Sequence, residues 1–308
     1  MVFPGQGSQS QGMQAELAAH HAVIADVYGE AGDVLGYDLW QLVQAGPAER
    51  LGETVVTQPA MLTAGYAAWR AWLASGGSAP RQMAGHSLGE YTALVCAGAV
   101  SFADALAVVR RRAELMQGAV PAGQGAMAAI LGLDDADVID VCREAMGDGV
   151  AEAVNFNAPG QVVIAGDTAA VGRAIELARV RGARRALALP VSVPAHSALM
   201  RQAGEDLAEA LAGAAFTTPR ITVVAASDAR PYRDAEDIRA RLSTQVYAPV
   251  RWVDTINALA AAGARTIIEC GPGRVLAGLL RRIDKNIGSE YIDSIESLQS
   301  ALQSGERQ

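Results

Sequence analysis

Arg81-Gln82-Met83-Ala84-Gly85-His86-Ser87-Leu88-Gly89-Glu90-Tyr91-Thr92-Ala93-Leu94-Val95-Cys96-Ala97 decides how this chain folds. Its first four residues read as a short strand leaving the Gly/Ser/Pro loop 75–80. Glu90 onward reads as a helix. Between them lies Gly-x-Ser-x-Gly, and strand, sharp turn, helix is the context a nucleophile elbow requires. Such a turn lifts one hydroxyl off the end of a sheet. The helix behind it offers free N–H groups and positive dipole charge to an oxyanion. A serine N-cap between two loop glycines is the plainer alternative. The rest of the chain favours the elbow.

Working outward, short strands alternate with helices. Val2-Phe3 is the stub of a strand. Helices are expected near 12–28, 39–45, 58–74, 87–97 and 101–119, the last with Ser101 and Asp104 at capping-box spacing. After the break Pro121-Ala122-Gly123-Gln124-Gly125 the rhythm tightens into strand 126–131, helix 134–146, strands 153–156 and 161–165, helix 168–181 and strand 186–189. That β-α-β-β-α-β order is the ferredoxin-like unit. It predicts a small subdomain over 122–189, inserted into a large α/β catalytic domain of residues 1–121 and 190–308. In the latter part, strands are expected at 221–225 and 266–269, with helices near 197–211, 235–246, 253–262 and 275–283. The fold class is α/β, a mostly parallel sheet flanked by helices.

The chain of 308 residues is 51% hydrophobic and 19% charged, enough to bury a sizeable core. A net charge of −8 argues against a nucleic-acid binder. No apolar run reaches membrane-spanning length, and no signal peptide precedes Pro4-Gly5, so a cytoplasmic protein is expected. Cys96, Cys142 and Cys270 lack metal or redox spacing and read as buried, reduced thiols.

A serine nucleophile needs a base, and there are four histidines. His20 and His21 read as surface positions. His86 sits inside the elbow and is expected to point away from Ser87 and to pack or hydrogen-bond locally. His196 ends the stiff loop Pro190-Val191-Ser192-Val193-Pro194-Ala195, which suits a positioned base; a loop histidine facing water is the alternative. No acidic partner stands out, although Asp228 and Asp254 are available. A backbone carbonyl or an amide would orient the imidazole equally well. One oxyanion donor should be the Leu88 N–H, and the second should come from Pro4-Gly5-Gln6-Gly7-Ser8-Gln9. That glycine-rich loop matches neither phosphate-binding pattern. In the run Arg110-Arg111-Arg112, Arg112 lies about 60° from the apolar stripe centred on Val109, closer than the other two. A guanidinium turned inward needs an anion or several acceptors. The anion is either a protein carboxylate or the carboxylate of a substrate.

These residues resemble the malonyl-CoA:acyl-carrier-protein transacylases of bacterial fatty acid synthesis. Phe3–Gln9, Gly85–Tyr91, Val154–Gln161, Val193–His196 and Glu269–Gly273 match that family's motifs in its order, over essentially the whole chain. The resemblance implies a hydrolase-like α/β domain carrying a ferredoxin-like insert. It implies Ser87 as the acylated nucleophile, His196 as its base, and Gln6 and Leu88 as oxyanion donors. Arg112 would hold the malonyl carboxylate, Gln245 would orient the histidine through its backbone, and His86 and Asn155 would line the pocket. Malonyl-CoA and an acyl carrier protein are the implied substrates, with no bound cofactor or metal. Carrier proteins are acidic, so Arg184, Arg185, Arg281 and Arg282 are the expected docking patch. Solvated helix ends are the alternative. The family carries a fuller first strand than Met1-Val2 provides, so either the start is trimmed or that strand is short and its neighbours frayed. Rival readings are a serine hydrolase, a transacylase serving a polyketide synthase or malonate decarboxylase, and a non-catalytic acyl binder.

Overall fold

The computed structural model describes residues 1–191 and 193–306. Among them are strands β1 Val2–Phe3, β2 Gln82–Gly85, β3 Gly125–Leu131, β4 Ala151–Ala158, β5 Gln161–Asp167, β6 Arg185–Ala188, β7 Thr222–Val224, β8 Thr266–Cys270 and β9 Gly288–Ile292. Two sheets result. The first has the order β7-β2-β1-β8-β9, and every pairing in it is parallel. The second, β4-β5-β3-β6, is antiparallel throughout. Parallel strands need crossovers, and helices supply them on this sheet's faces.

The strand β1 is short, and its neighbours are not frayed. Val2 pairs with Ala84 on one side and Glu269 on the other, and the Met1 ammonium donates to Gln82 O at 2.8 Å. Strand pairing therefore runs to the carboxyl end of β2, where Ser87 follows.

The helices largely fall where periodicity puts them, with instructive exceptions. The helix expected over 58–74 begins at Thr54, so Pro59 lies inside it. The ring costs a main-chain hydrogen bond there, and burial of nearly the whole helix outweighs that loss. The single helix expected over 12–28 is two, Ala15–His20 and Ala22–Leu35, separated at His21 in extended conformation. The helix Phe102–Gly118 is capped as expected, with Ser101 Oγ accepting from Asp104 N at 3.0 Å. Sequence periodicity misses β9 and the helix Ile295–Glu306. The former is an edge strand, Gly-Ser-Glu-Tyr-Ile, buried only at its last residue, so it shows no alternation.

The antiparallel sheet has its own apolar interior, built from Ala128, Ile130, Val138, Val162, Ile164 and Ala174 among others. Main-chain hydrogen bonds tie its edge to the rest: Val250 N donates to Val154 O at 2.8 Å, and Phe156 N donates to Val250 O at 2.9 Å. All three cysteines are buried and free. Among the described residues no helix is long and apolar enough to cross a membrane.

Candidate active site

The turn after β2 is built by exclusion. A Cβ on Gly85 would lie 1.9 Å from Gly89 C, and one on Gly89 would lie 2.1 Å from Phe3 O. Neither position admits a side chain, so the bend between them is as tight as the backbone allows. Ser87 at its apex takes φ 51°, a left-handed conformation that a serine adopts only under constraint. The helix Gly89–Cys96 starts directly behind it.

Ser87 Oγ lies 2.7 Å from His196 Nε2, across 109 residues. The imidazole is fixed from behind: Nδ1 faces Gln245 O at 2.9 Å and Ala248 O at 3.1 Å. Two carbonyls can only accept, so Nδ1 carries the proton and Nε2 is left as the acceptor for the serine hydroxyl. Burial, and then the neighbouring Arg112 cation, push His196 down to about 3, so its neutral form prevails. His196 is itself left-handed at φ 67°, held by its N–H to Val246 O at 2.8 Å. No carboxylate orients it. Asp228 pairs with Arg241 and Asp254 with Arg251.

Arg112 is 2% exposed, whereas the side chains of Arg110 and Arg111 are 51% and 52% exposed, which is the order the helical angles predict. Its Nη2 donates to Ser87 Oγ at 3.3 Å and to Gln245 Oε1 at 3.0 Å, and its Nη1 donates to Gln58 Oε1 at 2.6 Å. All three partners are neutral, and Nε has none. A buried cation without an anion retains most of its capacity for one.

The loop of Gln6 is pressed against the elbow. A Cβ on Gly5 would sit 2.5 Å from His86 O and 3.7 Å from Leu88 N, so only glycine allows this approach. Among the described residues the main-chain N–H groups of Gln6 and Leu88 find no acceptor. His86 packs, as expected, but its side-chain hydrogen bond reaches across 71 residues rather than to a neighbour in the turn. Its Nε2 is 2.7 Å from Asn157 Oδ1 on β4, and its ring packs on Trp252. Asn155, two residues before Asn157 on β4, is buried, and its Oδ1 has no partner among the described residues. The four arginines of the expected docking patch lie outside this cluster. Arg184, Arg185, Arg281 and Arg282 are exposed. Arg282 reaches Gln161 Oε1 and Pro159 O on the β4–β5 turn. Gln161 pairs with Leu131, and Leu131 with Arg185, so Arg185 and Arg282 lie toward the same end of the small sheet.

Four participants escape the sequence reading: Gln58, Asn157, Glu90 and Tyr232. Glu90 had a signal, as the one charged residue of its helical stretch, and Gln58 had a weaker one, an amide beside Thr57 in a mostly apolar helix. Asn157 and Tyr232 had none.

The acyl transferase domain matches residues 1–298 of the chain. The chain belongs to the acyl transferase domain family. Within it, the malonyl CoA-acyl carrier protein transacylase of Salmonella typhimurium is 50% identical over 301 residues, covering 98% of this chain and 97% of that protein. An acyl-carrier-protein S-malonyltransferase of Burkholderia pseudomallei is 53% identical, with a TM-score of 0.96 and 98% of each chain covered. A malonyl-transacylase solved in complex with a type II PKS acyl-carrier protein is 49% identical, with a TM-score of 0.97 over 99% of this chain and 98% of that one.

Proposed function

We propose that this acyl transferase moves malonyl groups from malonyl-CoA to the phosphopantetheine thiol of an acyl carrier protein, for fatty acid synthesis in the cytoplasm. The observation that carries this reading is the meeting of Ser87, His196 and Arg112 at one point. The names of the relatives agree with it. Ser87 Oγ attacks the thioester carbonyl as its proton passes to His196 Nε2. The Gln6 and Leu88 N–H groups take the oxyanion. The carbon–sulfur bond breaks, His196 returns the proton to the coenzyme A sulfur, and malonyl-Ser87 remains. In the second half the carrier thiol yields its proton to His196 and attacks the ester, and Ser87 leaves reprotonated. The thioester supplies the activation, so no cofactor takes part.

Arg112 selects acyl groups ending in a carboxylate, with Gln245, His86 and Asn155 around the acyl chain. Arg184, Arg185, Arg281 and Arg282 receive the acidic carrier. The architecture fits a hydrolase-like catalytic domain of residues 1–121 and 190–308. The β4-β5-β3-β6 order supports reading 122–189 as a ferredoxin-like insert. A second reading, loading of a polyketide carrier, is favoured by the neighbour solved with such a partner.

Mass spectrometry after brief exposure to malonyl-CoA tests the scheme. A malonyl adduct on Ser87, discharged by carrier protein, is expected. Rapid release to water supports a hydrolase, and no adduct supports a binding protein. Arg112→Ala should lower kcat/KM for malonyl-CoA relative to acetyl-CoA by about 10–100-fold, the value of charge-assisted hydrogen bonds. Equal losses would remove the selectivity argument. Reversing the four surface arginines should slow discharge to the carrier and leave adduct formation unchanged.

A further inference from the structure

Glu90 is fully buried, and it is the one charged residue of the helix Gly89–Cys96. No step of the scheme above uses it. Its carboxylate is nevertheless held from three sides. Tyr232 OH donates to Oε1, while Gln245 Nε2 at 2.9 Å and Ala226 N at 3.3 Å donate to Oε2.

The bond to Gln245 has a directional consequence. An amide side chain has a donor end and an acceptor end. The Gln245 donor end spends its two hydrogens on Glu90 Oε2 and on Ser87 O, at 3.0 Å. Its acceptor end is therefore turned to Arg112 Nη2 at 3.0 Å. Were the amide reversed, its oxygen would oppose a carboxylate and a carbonyl, and its NH₂ would oppose a guanidinium. The same residue's main-chain oxygen receives His196 Nδ1. Gln245 thus joins the base, the nucleophile and the guanidinium, and Glu90 sets which way its side chain faces.

We propose that Glu90 is a positioning residue for acyl selection: it locks the Gln245 amide so that Arg112 is held, without a direct ion pair, in place for the substrate carboxylate. A carboxylate touching Arg112 would compete with the substrate for it. A carboxylate one amide away orients the guanidinium and leaves its charge available. This rests on the malonyl-transfer reading above.

The test is the ratio of kcat/KM for malonyl-CoA to that for acetyl-CoA. Glu90→Ala should lower the ratio by roughly tenfold, since a hydrogen bond to a charged group is lost. Glu90→Gln keeps an oxygen against the Gln245 N–H and should retain most of the ratio. In an Arg112→Ala background, Glu90→Ala should change the ratio no further. Equal losses for the two substrates, failure of Glu90→Gln to rescue, or an undiminished effect without Arg112 would overturn the proposal. Should Glu90→Ala not fold, Tyr232→Phe frees the carboxylate to swing off Gln245. The ratio should then fall in the same direction, and an unchanged ratio counts against the role. A wild-type protein that forms no malonyl-Ser87 sinks the malonyl reading itself. A wild type that forms it, with a Glu90→Ala variant of undiminished preference, sinks only the Glu90 assignment.

Discussion

The side chains packed behind Ser87 at the carboxyl end of the parallel sheet and the interior of the small antiparallel sheet are both buried, yet they are built oppositely. Behind Ser87 the buried side chains are Glu90, Arg112, His196 and Gln245, joined to one another and to Ser87 by hydrogen bonds that span 25 to 158 residues. Behind β3, β4, β5 and β6 they are Ile130, Val162, Ile164 and Ala174, with no such bonding. The first interior spends desolvation energy to hold charges where they react. The second gains energy from burying apolar surface. Damage should therefore appear as lost chemistry in one and lost stability in the other.

The sharpest way to break this contrast is His196→Ala. Removal of the base should slow malonyl-Ser87 formation on the order of 10³-fold, read by stopped acylation assays. The thermal midpoint should change little, because the variant also removes the cost of burying an imidazole beside Arg112. A large fall in melting temperature with modest kinetic loss would erase the distinction. Ile164→Ala is the mirror experiment. It should cost about 3 kcal/mol in denaturant unfolding, with kcat nearly unchanged while the protein stays folded. The smallest effect comes from a buried carboxylate outside the site. Glu269 accepts from Ala277 N at 2.8 Å at the start of the helix Val275–Ile283, while its Oε1 has no partner. Burial raises its carboxyl to about 7, above the usual carboxylate range, against the pull of the Ala277, Leu276 and Val275 N–H groups. The raised group stabilises the fold fully below about pH 4.5 and loses that contribution as pH rises through about 7. Glu269→Gln keeps an acceptor for Ala277. Relative to wild type it should gain stability between pH 5 and pH 8, by at most about 3 kcal/mol. Parallel pH profiles of the two proteins would refute this.

The same contrast explains what could be read in advance. The small sheet's elements are legible because apolar periodicity is a local signal, and the structure adjusts their ends by a few residues. Ser87 is legible because its turn is written in five consecutive residues. His196 stands out through scarcity, and Arg112 through its angle on a helix. The supports of those three are legible only in part, Gln245 through the resemblance alone. Gln58 meets Arg112 from 54 positions away, and Tyr232 meets Glu90 from 142, so their roles exist only once the chain has closed. The helix start at Thr54 was hidden for a related reason. Proline reads locally as a boundary, and only tertiary burial shows that it is carried inside.

Ser87 and His196 both occupy bends that favour glycine, at φ 51° and φ 67°. A glycine at either position would relieve the backbone and abolish turnover. Selection for heat tolerance alone would therefore push both sites toward a sturdier, silent protein. Only a continuing demand for product keeps the hydroxyl and the imidazole on those two uncomfortable perches.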